Sequence, residues 1–297
     1  MKKKIHMFIS KEKENRTKKE KNIHIFRKKF SSKQKIIIKI IFIICLTLAK
    51  LELLFYSNTK ETKKELKNYK YFICFVSKGK SENLYVRELV NHYLSIEFEK
   101  FYLGDDNIIG GEKLIDVLHD YVNKNIVDIK DIRGKNWSQV EFFQYTLEKY
   151  KDKCKWMSFY DFDEFLEFTN KNMTIKDYLS MDIFNKCDVV KIHWLIYDDN
   201  DLVYYDNRTL KERFTKPIYQ TFDNNFHKSI VRSKNYNGIM WNINTGVHQP
   251  NESLVNMCDA VGTLANVRHG ILGHPNYKYC HIRHHRMKTI EEYRKNY

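Results

Sequence analysis

From Tyr71 onward the chain alternates between two hydrophobic patterns. Tyr71–Val76 (YFICFV) is an unbroken apolar run, the mark of a strand buried on both faces. Glu82–Phe98 instead spaces its apolar residues as a helix does, with Leu84, Val86, Leu89, Val90, Tyr93 and Leu94 on the apolar surface. The alternation then repeats. Lys100–Leu103 predicts a strand ending at the turn-forming Gly104-Asp105-Asp106-Asn107, Gly111–Asn125 a helix and Ile126–Ile129 a strand. Ser138–Tyr150 predicts a helix and Trp156–Tyr160 a fourth strand. Such alternation builds βαβ units, so the chain reads as α/β with a mostly parallel central sheet. Ligands of open α/β sheets bind beyond the carboxyl ends of strands. Ser77–Asn83, Asp105/Asp106 and the acids after Tyr160 therefore fall on one edge.

Beyond Tyr160 the pattern is mixed. Thr174–Ser180 predicts a short helix capped by Thr174, Val189–Ile196 a strand, Tyr197–Asn207 a polar loop and Phe226–Val231 a strand. Residues 238–273 show no clean period, and Thr289–Tyr297 closes as a helix. No internal repeat or linker interrupts residues 71–297, which read as one domain.

Charge changes the picture mainly at the N-terminus. The chain carries a net +15, but residues 1–35 hold 14 Lys/Arg and 3 Glu, so most of the excess belongs to a basic tail. The main domain is nearly balanced, which argues against nucleic acid as a partner. Ile36–Phe55 (IIIKIIFIICLTLAKLELLF) is long enough to span a bilayer if Lys39 and Lys50 snorkel to opposite interfaces. Basic residues before such a span keep the N-terminus cytoplasmic. The expected layout is a cytoplasmic tail (1–35), a signal-anchor helix (36–55), a polar stem (56–70) and a lumenal domain (71–297). A helix lying on a membrane surface is the competing reading. A type II protein of the Golgi or secretory pathway would admit one or two disulfides among Cys74, Cys154, Cys187, Cys258 and Cys280, and glycans at the sequons Asn172, Asn207 and Asn251.

The densest chemical signal is residues 155–168, KWMSFYDFDEFLEF. Asp161 and Asp163 share one side of an extended strand end, where paired carboxylates suit a divalent cation that also binds phosphate oxygens. An acidic loop with Asp163 capping a following helix is the alternative. Asp105 serves either a ligand or a turn cap. The tail holds His248, His281, His284 and His285, and neutral imidazole is a competent metal ligand.

Several short segments in order resemble glycosyltransferase family 92. Ile73-Cys74-Phe75 with Lys78, Glu82, Asn83, Tyr85 and Glu88 is similar to the family's opening strand and its K-N-E-x-x-Y-x-x-E-W segment, and His92-Tyr93 to the pair that follows. Phe101–Asn107 resembles the next strand, and Trp156–Leu166 the W-x-x-F-x-D-x-D-E-F hallmark. Lys228–Arg232, Gly246–His248 and His281–Arg294 resemble later segments. The chain departs at Leu89 (Trp in the family), at Ile282 (Tyr) and in a stretched Lys78–Asn83 loop, which implies an altered donor preference or a reduced activity.

This resemblance implies a GT-A-like, metal-dependent, inverting enzyme that moves a sugar from a UDP- or GDP-sugar to a glycan hydroxyl. Mn²⁺ or Mg²⁺ would be held by Asp161, Asp163 and His281, the last at the family's terminal His position. Lys78, Glu82, Asp105, Asp161 and Lys228 would contact the donor, with Arg133 a further source of positive charge. Glu212, Asp198 and Asp199 are the candidate bases. A nucleotidyl or phosphoryl transferase and a non-catalytic carbohydrate-binding relative of the same fold are the alternatives.

Overall fold

The computed structural model describes residues 41, 47, 69–235, 256–265 and 271–295. The chain divides into two units, Met1–Lys64 and Glu65–Tyr297. Of the first, only Ile41 and Thr47 are described, both helical and exposed. The expected anchor at 36–55 otherwise lies outside the described residues, as do Asn251 and His248. No helix among the described residues is long and apolar enough to cross a membrane.

The second unit opens with the alternation the sequence predicts: β1 (Tyr71–Gly79), α1 (Asn83–Ser95), β2 (Lys100–Asp105), α2 (Leu114–Asn123), β3 (Val127–Asp131), α3 (Gln139–Tyr150) and β4 (Cys154–Phe159). These four strands are parallel, in the order β3-β2-β1-β4. Alternate residues face opposite layers. Ile73, Phe75, Phe101 and Leu103 join the core under α1, while Cys74, Val76, Tyr102, Met157 and Phe159 join the one under α3. Cover on both faces explains why the strands read as unbroken apolar runs. α1 ends three residues earlier than its apolar spacing suggests, because Glu97 takes a left-handed conformation (φ 71°) that turns the chain into β2.

β5 (Glu164–Phe168), α4 (Ile175–Leu179), β6 (Val189–Tyr197), α5 (Leu210–Arg213), β7 (Pro217–Ile218), β8 (His227–Arg232), β9 (Met257–Cys258), β10 (Cys280–His284) and α6 (Ile290–Lys295) follow. The sheet continues from β4 through β8, β6 and β10 to β5. β8 runs antiparallel between β4 and β6, and β10 is parallel to β6 but antiparallel to β5. This half is therefore mixed. Strands β1 to β4, β6 and β10 all end at one edge, where β5 and β8 begin. The strand order reverses at β1 and β4, the position where a crevice opens in doubly wound sheets. Disulfides join Cys74 to Cys154 and Cys187 to Cys258, leaving Cys280 buried and free.

Candidate functional site

The acidic motif sits in that crevice, not on a strand end and not at a helix cap. β4 stops at Phe159, and residues 161–164 form a turn closed by Glu164 N–H donating to the Asp161 carbonyl (3.3 Å). The chain then leaves as β5. Sequence reasoning missed this strand because its five residues are all buried, including two glutamates, and so lack a polar face. Two aromatic neighbours on α1 hold it. The Tyr93 hydroxyl donates to the Glu164 carbonyl (2.8 Å) and accepts from Leu166 N–H (3.0 Å), while His92 Nε2 meets the Leu166 carbonyl (2.8 Å). The motif-like His92-Tyr93 thus positions the acidic turn.

Both acids of the turn are engaged. Asp161 binds Lys228 Nζ at 2.6 Å, accepts from the Gln139 amide at the start of α3, and its backbone N–H donates to Glu164 Oε2 (2.8 Å). Lys228, the second residue of β8, also lies 3.5 Å from Glu164. Asp163 faces His284 Nε2 at 3.6 Å. His284 Nδ1 is buried with no hydrogen-bond partner. Glu82, at the head of α1, binds Lys288 at 3.0 Å.

Burial and mutual charge shape this cluster. Burial pushes Glu82 up to about 7 against the pull of Lys288, with Asp163 and Asp161 pushing the same way. Glu164 is likewise pushed up to about 7 by burial, against Lys228 and with Asp161. Burial alone would raise Asp163, but His284, Lys288 and Lys228 outweigh it and hold its carboxyl well below the usual range. Burial would lower His284 and Lys228, and their carboxylate neighbours raise both instead. Asp163 is therefore held as a carboxylate by its neighbours, while Asp161 is tied to Lys228.

The structure brings Asp161, Asp163, Lys228 and Glu82 together and places the other sequence candidates elsewhere. His281 is not the histidine opposite the acids. It lies on the opposite side of β10 from His284, its Nε2 3.9 Å from Glu167, because side chains alternate along a strand. Asp105 caps: its two oxygens accept from Asn107 N–H (3.2 Å) and Leu114 N–H (3.0 Å). Lys78 ends β1 on the same edge but pairs with Asp106 (2.9 Å) and donates to the Trp137 carbonyl. Arg133 pairs with Asp131. Glu212 is exposed and closes a capping box with Thr209 at the head of α5, so it is not presented to the turn. Asp198 and Asp199 follow β6 at the site edge. There Asp198 N–H donates to the Lys216 carbonyl, and Asp199 accepts from Asp201 N–H in a local turn. Glu164, Gln139, His284 and Lys288 complete the cluster. No periodicity marks the last two, since the β10 segment is polar in sequence and buried in the fold.

Among the described residues, no group of three or more His, Cys, Asp or Glu side chains forms a protein-only metal site. Asp163 and His284 nevertheless fit a cation that keeps several waters and takes phosphate oxygens, for which one or two protein ligands suffice. His284 turns Nε2 toward Asp163 at 3.6 Å, so with the imidazole neutral a nitrogen and a carboxylate oxygen converge on one point.

A sequence model described as Glycosyltransferase family 92 matches residues 54–297. The chain belongs to glycosyltransferase family 92. That decides between the transferase classes the sequence left open: this family 92 member is a glycosyltransferase. A comparison with curated proteins gives no match. Among solved structures it is similar to S. aureus TarS 1–349, at 16% identity and TM-score 0.36, covering 55% of this chain and 47% of that one. The same TarS fragment is solved with UDP-GlcNAc. GlyE of Streptococcus pneumoniae TIGR4 is similar at 12% identity and TM-score 0.30, over 56% of this chain and 35% of that one. The chain spans about half the length or less of these structures.

Proposed function

We propose that this family 92 glycosyltransferase uses the Asp161–Glu164 turn to hold a UDP- or GDP-sugar, with Mn²⁺ or Mg²⁺, and transfers the sugar to a hydroxyl of a glycan acceptor. The observation that carries the reading is the position of Asp163 opposite His284 at the strand-order switch point, beside Lys228 and Lys288. A divalent cation held by Asp163 and His284 would offset charge growing on the departing diphosphate. The chain's own residues supply the rest. Lys228 fixes Asp161 in its turn, and Lys288 and Lys228 set positive charge around the crevice. The reaction breaks the bond from the anomeric carbon to the diphosphate oxygen, and the electron pair leaves on the diphosphate. The acceptor oxygen forms the new bond and gives up its proton to a base. A single displacement of this kind inverts the anomeric carbon.

The proposal extends to location. Two disulfides, with Asn172 and Asn207 both exposed, favour an oxidising compartment of the secretory pathway. A single-pass type II anchor at 36–55 accords with this.

The test is a donor panel. The full chain should release nucleoside diphosphate from one or more UDP- or GDP-sugars, in a reaction that needs Mn²⁺ or Mg²⁺ and is abolished by chelation. Release with no metal requirement would overturn the cation's role, and no release from any donor would overturn the donor class.

A further inference from the structure

His284 has a second neighbourhood. Its ring centroid lies 4.4 Å from that of Trp194, the two planes tilted by 55°, and both border a cavity of about 430 Å³ whose other walls are Phe226, Asp223 and Arg286. That volume falls in the range of small-molecule sites. The cavity is built on fixed parts. Trp194 belongs to β6, and Arg286 follows β10 by two residues. Asp223 sits in the 3-10 turn Phe222–Asn225, which Asn224 fastens to β6 by accepting from Ile196 N–H (2.9 Å) and to β7 by donating to the Ile218 carbonyl (2.7 Å). Asp223 and Arg286 pair at 2.8 Å, yet the arginine is 61% exposed and the aspartate 35%, so both still present polar atoms to a ligand. The exposed rings of Phe222 and Tyr219 extend the aromatic surface outward.

We propose that this cavity is the acceptor subsite and that it takes a sugar ring. The chemistry is specific. A pyranose has an apolar C–H face that packs on aromatic rings and a rim of hydroxyls that a carboxylate–guanidinium pair can accept from and donate to. A purely apolar ligand would leave Asp223 and Arg286 desolvated without new partners, which is costly. The position is right as well. His284 forms a wall of the cavity and faces Asp163, so a hydroxyl bound here lies one side chain from the donor cluster. The assignment rests on the glycosyl-transfer reading, and the experiment separates the two.

The experiment uses the full chain and p-nitrophenyl glycosides of common hexoses as probes. Binding is followed without donor by tryptophan fluorescence, and nucleotide-sugar affinity is followed separately by calorimetry. A glycoside should bind and should stimulate nucleotide release. Asp223→Asn, Arg286→Met and Phe226→Ala should each weaken glycoside binding, by about tenfold for the charged pair. Donor affinity should stay within about twofold of wild type in each variant. Arg286→Met keeps the test open if Phe226→Ala does not fold, since that arginine is exposed. Equal loss of donor affinity would assign the cavity to the donor and overturn the inference while leaving glycosyl transfer intact. Glycoside binding unchanged in all three variants, or absent in wild type, would also overturn it. Binding with no nucleotide release by any donor would instead overturn the transfer reading and leave a saccharide site.

Discussion

The ring of Phe162, between the two acids of the motif, packs against Gly79 at the end of β1 through its Cδ2–Cε2 edge. A methyl group at Gly79 would stand 2.6 Å from Phe162 Cε2. Phe162 is 2% exposed and belongs to the core. The glycine therefore allows the turn that carries Asp161 and Asp163 to dock on β1. Gly79→Ala should cost about 1–3 kcal/mol through overpacking. It should also lower nucleotide-sugar turnover beyond what the lost stability explains, because the turn itself must shift. Thermal unfolding together with turnover measured well below the midpoint checks this. Full activity in the variant would show that the docking is not required.

The pairing of Asp163 with His284 rather than His281 yields a sharper comparison. Asp163→Ala should cut metal-dependent nucleotide release by about 100-fold or more. His284→Ala should raise the Mn²⁺ concentration needed for half-maximal rate, whereas His281→Ala should leave that concentration near wild type. Manganese titrations of the three variants decide the matter. An unchanged rate in Asp163→Ala would sink the metal role, and a larger effect at His281 than at His284 would reverse the assignment.

How far the sequence could be read follows from burial. The βαβ half was legible because strands covered on both faces have only one composition available to them, and α1 and α3 carry clear apolar stripes. β5 and β10 were not, because their buried positions hold Glu164, Glu167, Arg283 and His284, which the fold tolerates only as partners of one another and of Lys228 and Lys211. The same holds for the site. Asp161 and Asp163 stood out from two-residue spacing, but which histidine faces them depends on the register of β10 against β5, a long-range pairing that local spacing does not encode. Capping was legible only in part: the turn-cap reading of Asp105 is the one the structure shows, whereas Glu212, at the third position of α5, closes a capping box with Thr209.

The two disulfides make a chemical prediction. Alkylation of the unreduced, denatured chain should leave Cys74, Cys154, Cys187 and Cys258 unmodified and label Cys280, with peptide mapping recovering the two cross-links. Replacing Cys74 and Cys154 together by Ser should destabilise the domain by about 2–5 kcal/mol. Recovery of all four thiols as alkylated species from protein made in the secretory pathway would contradict both the cross-links and the proposed compartment.

The C-terminal segment that delivers Lys288 is anchored by a buried ion pair, which makes its attachment sensitive to acid. Glu292 takes two bonds from Arg213 (2.9 Å each), accepts from Thr289 N–H (2.9 Å), and is also bonded by the Tyr85 hydroxyl and the Thr289 side chain. Burial alone would raise its carboxyl, but these bonds prevail and hold it at about 2, below the ordinary 4.5. The unfolded chain therefore binds this proton first as pH falls, so the stabilisation is fully present above about 4.5 and is lost between about 4.5 and 2. The amount is on the order of 3 kcal/mol. Glu292→Gln should remove this acid dependence and, by stranding Arg213 in the core, cost about 3–5 kcal/mol at neutral pH. Denaturant unfolding of wild type and variant from pH 7 down to pH 3 gives the two curves. They should converge as the pH falls, and parallel curves would show that Glu292 is not the group whose protonation loosens the tail.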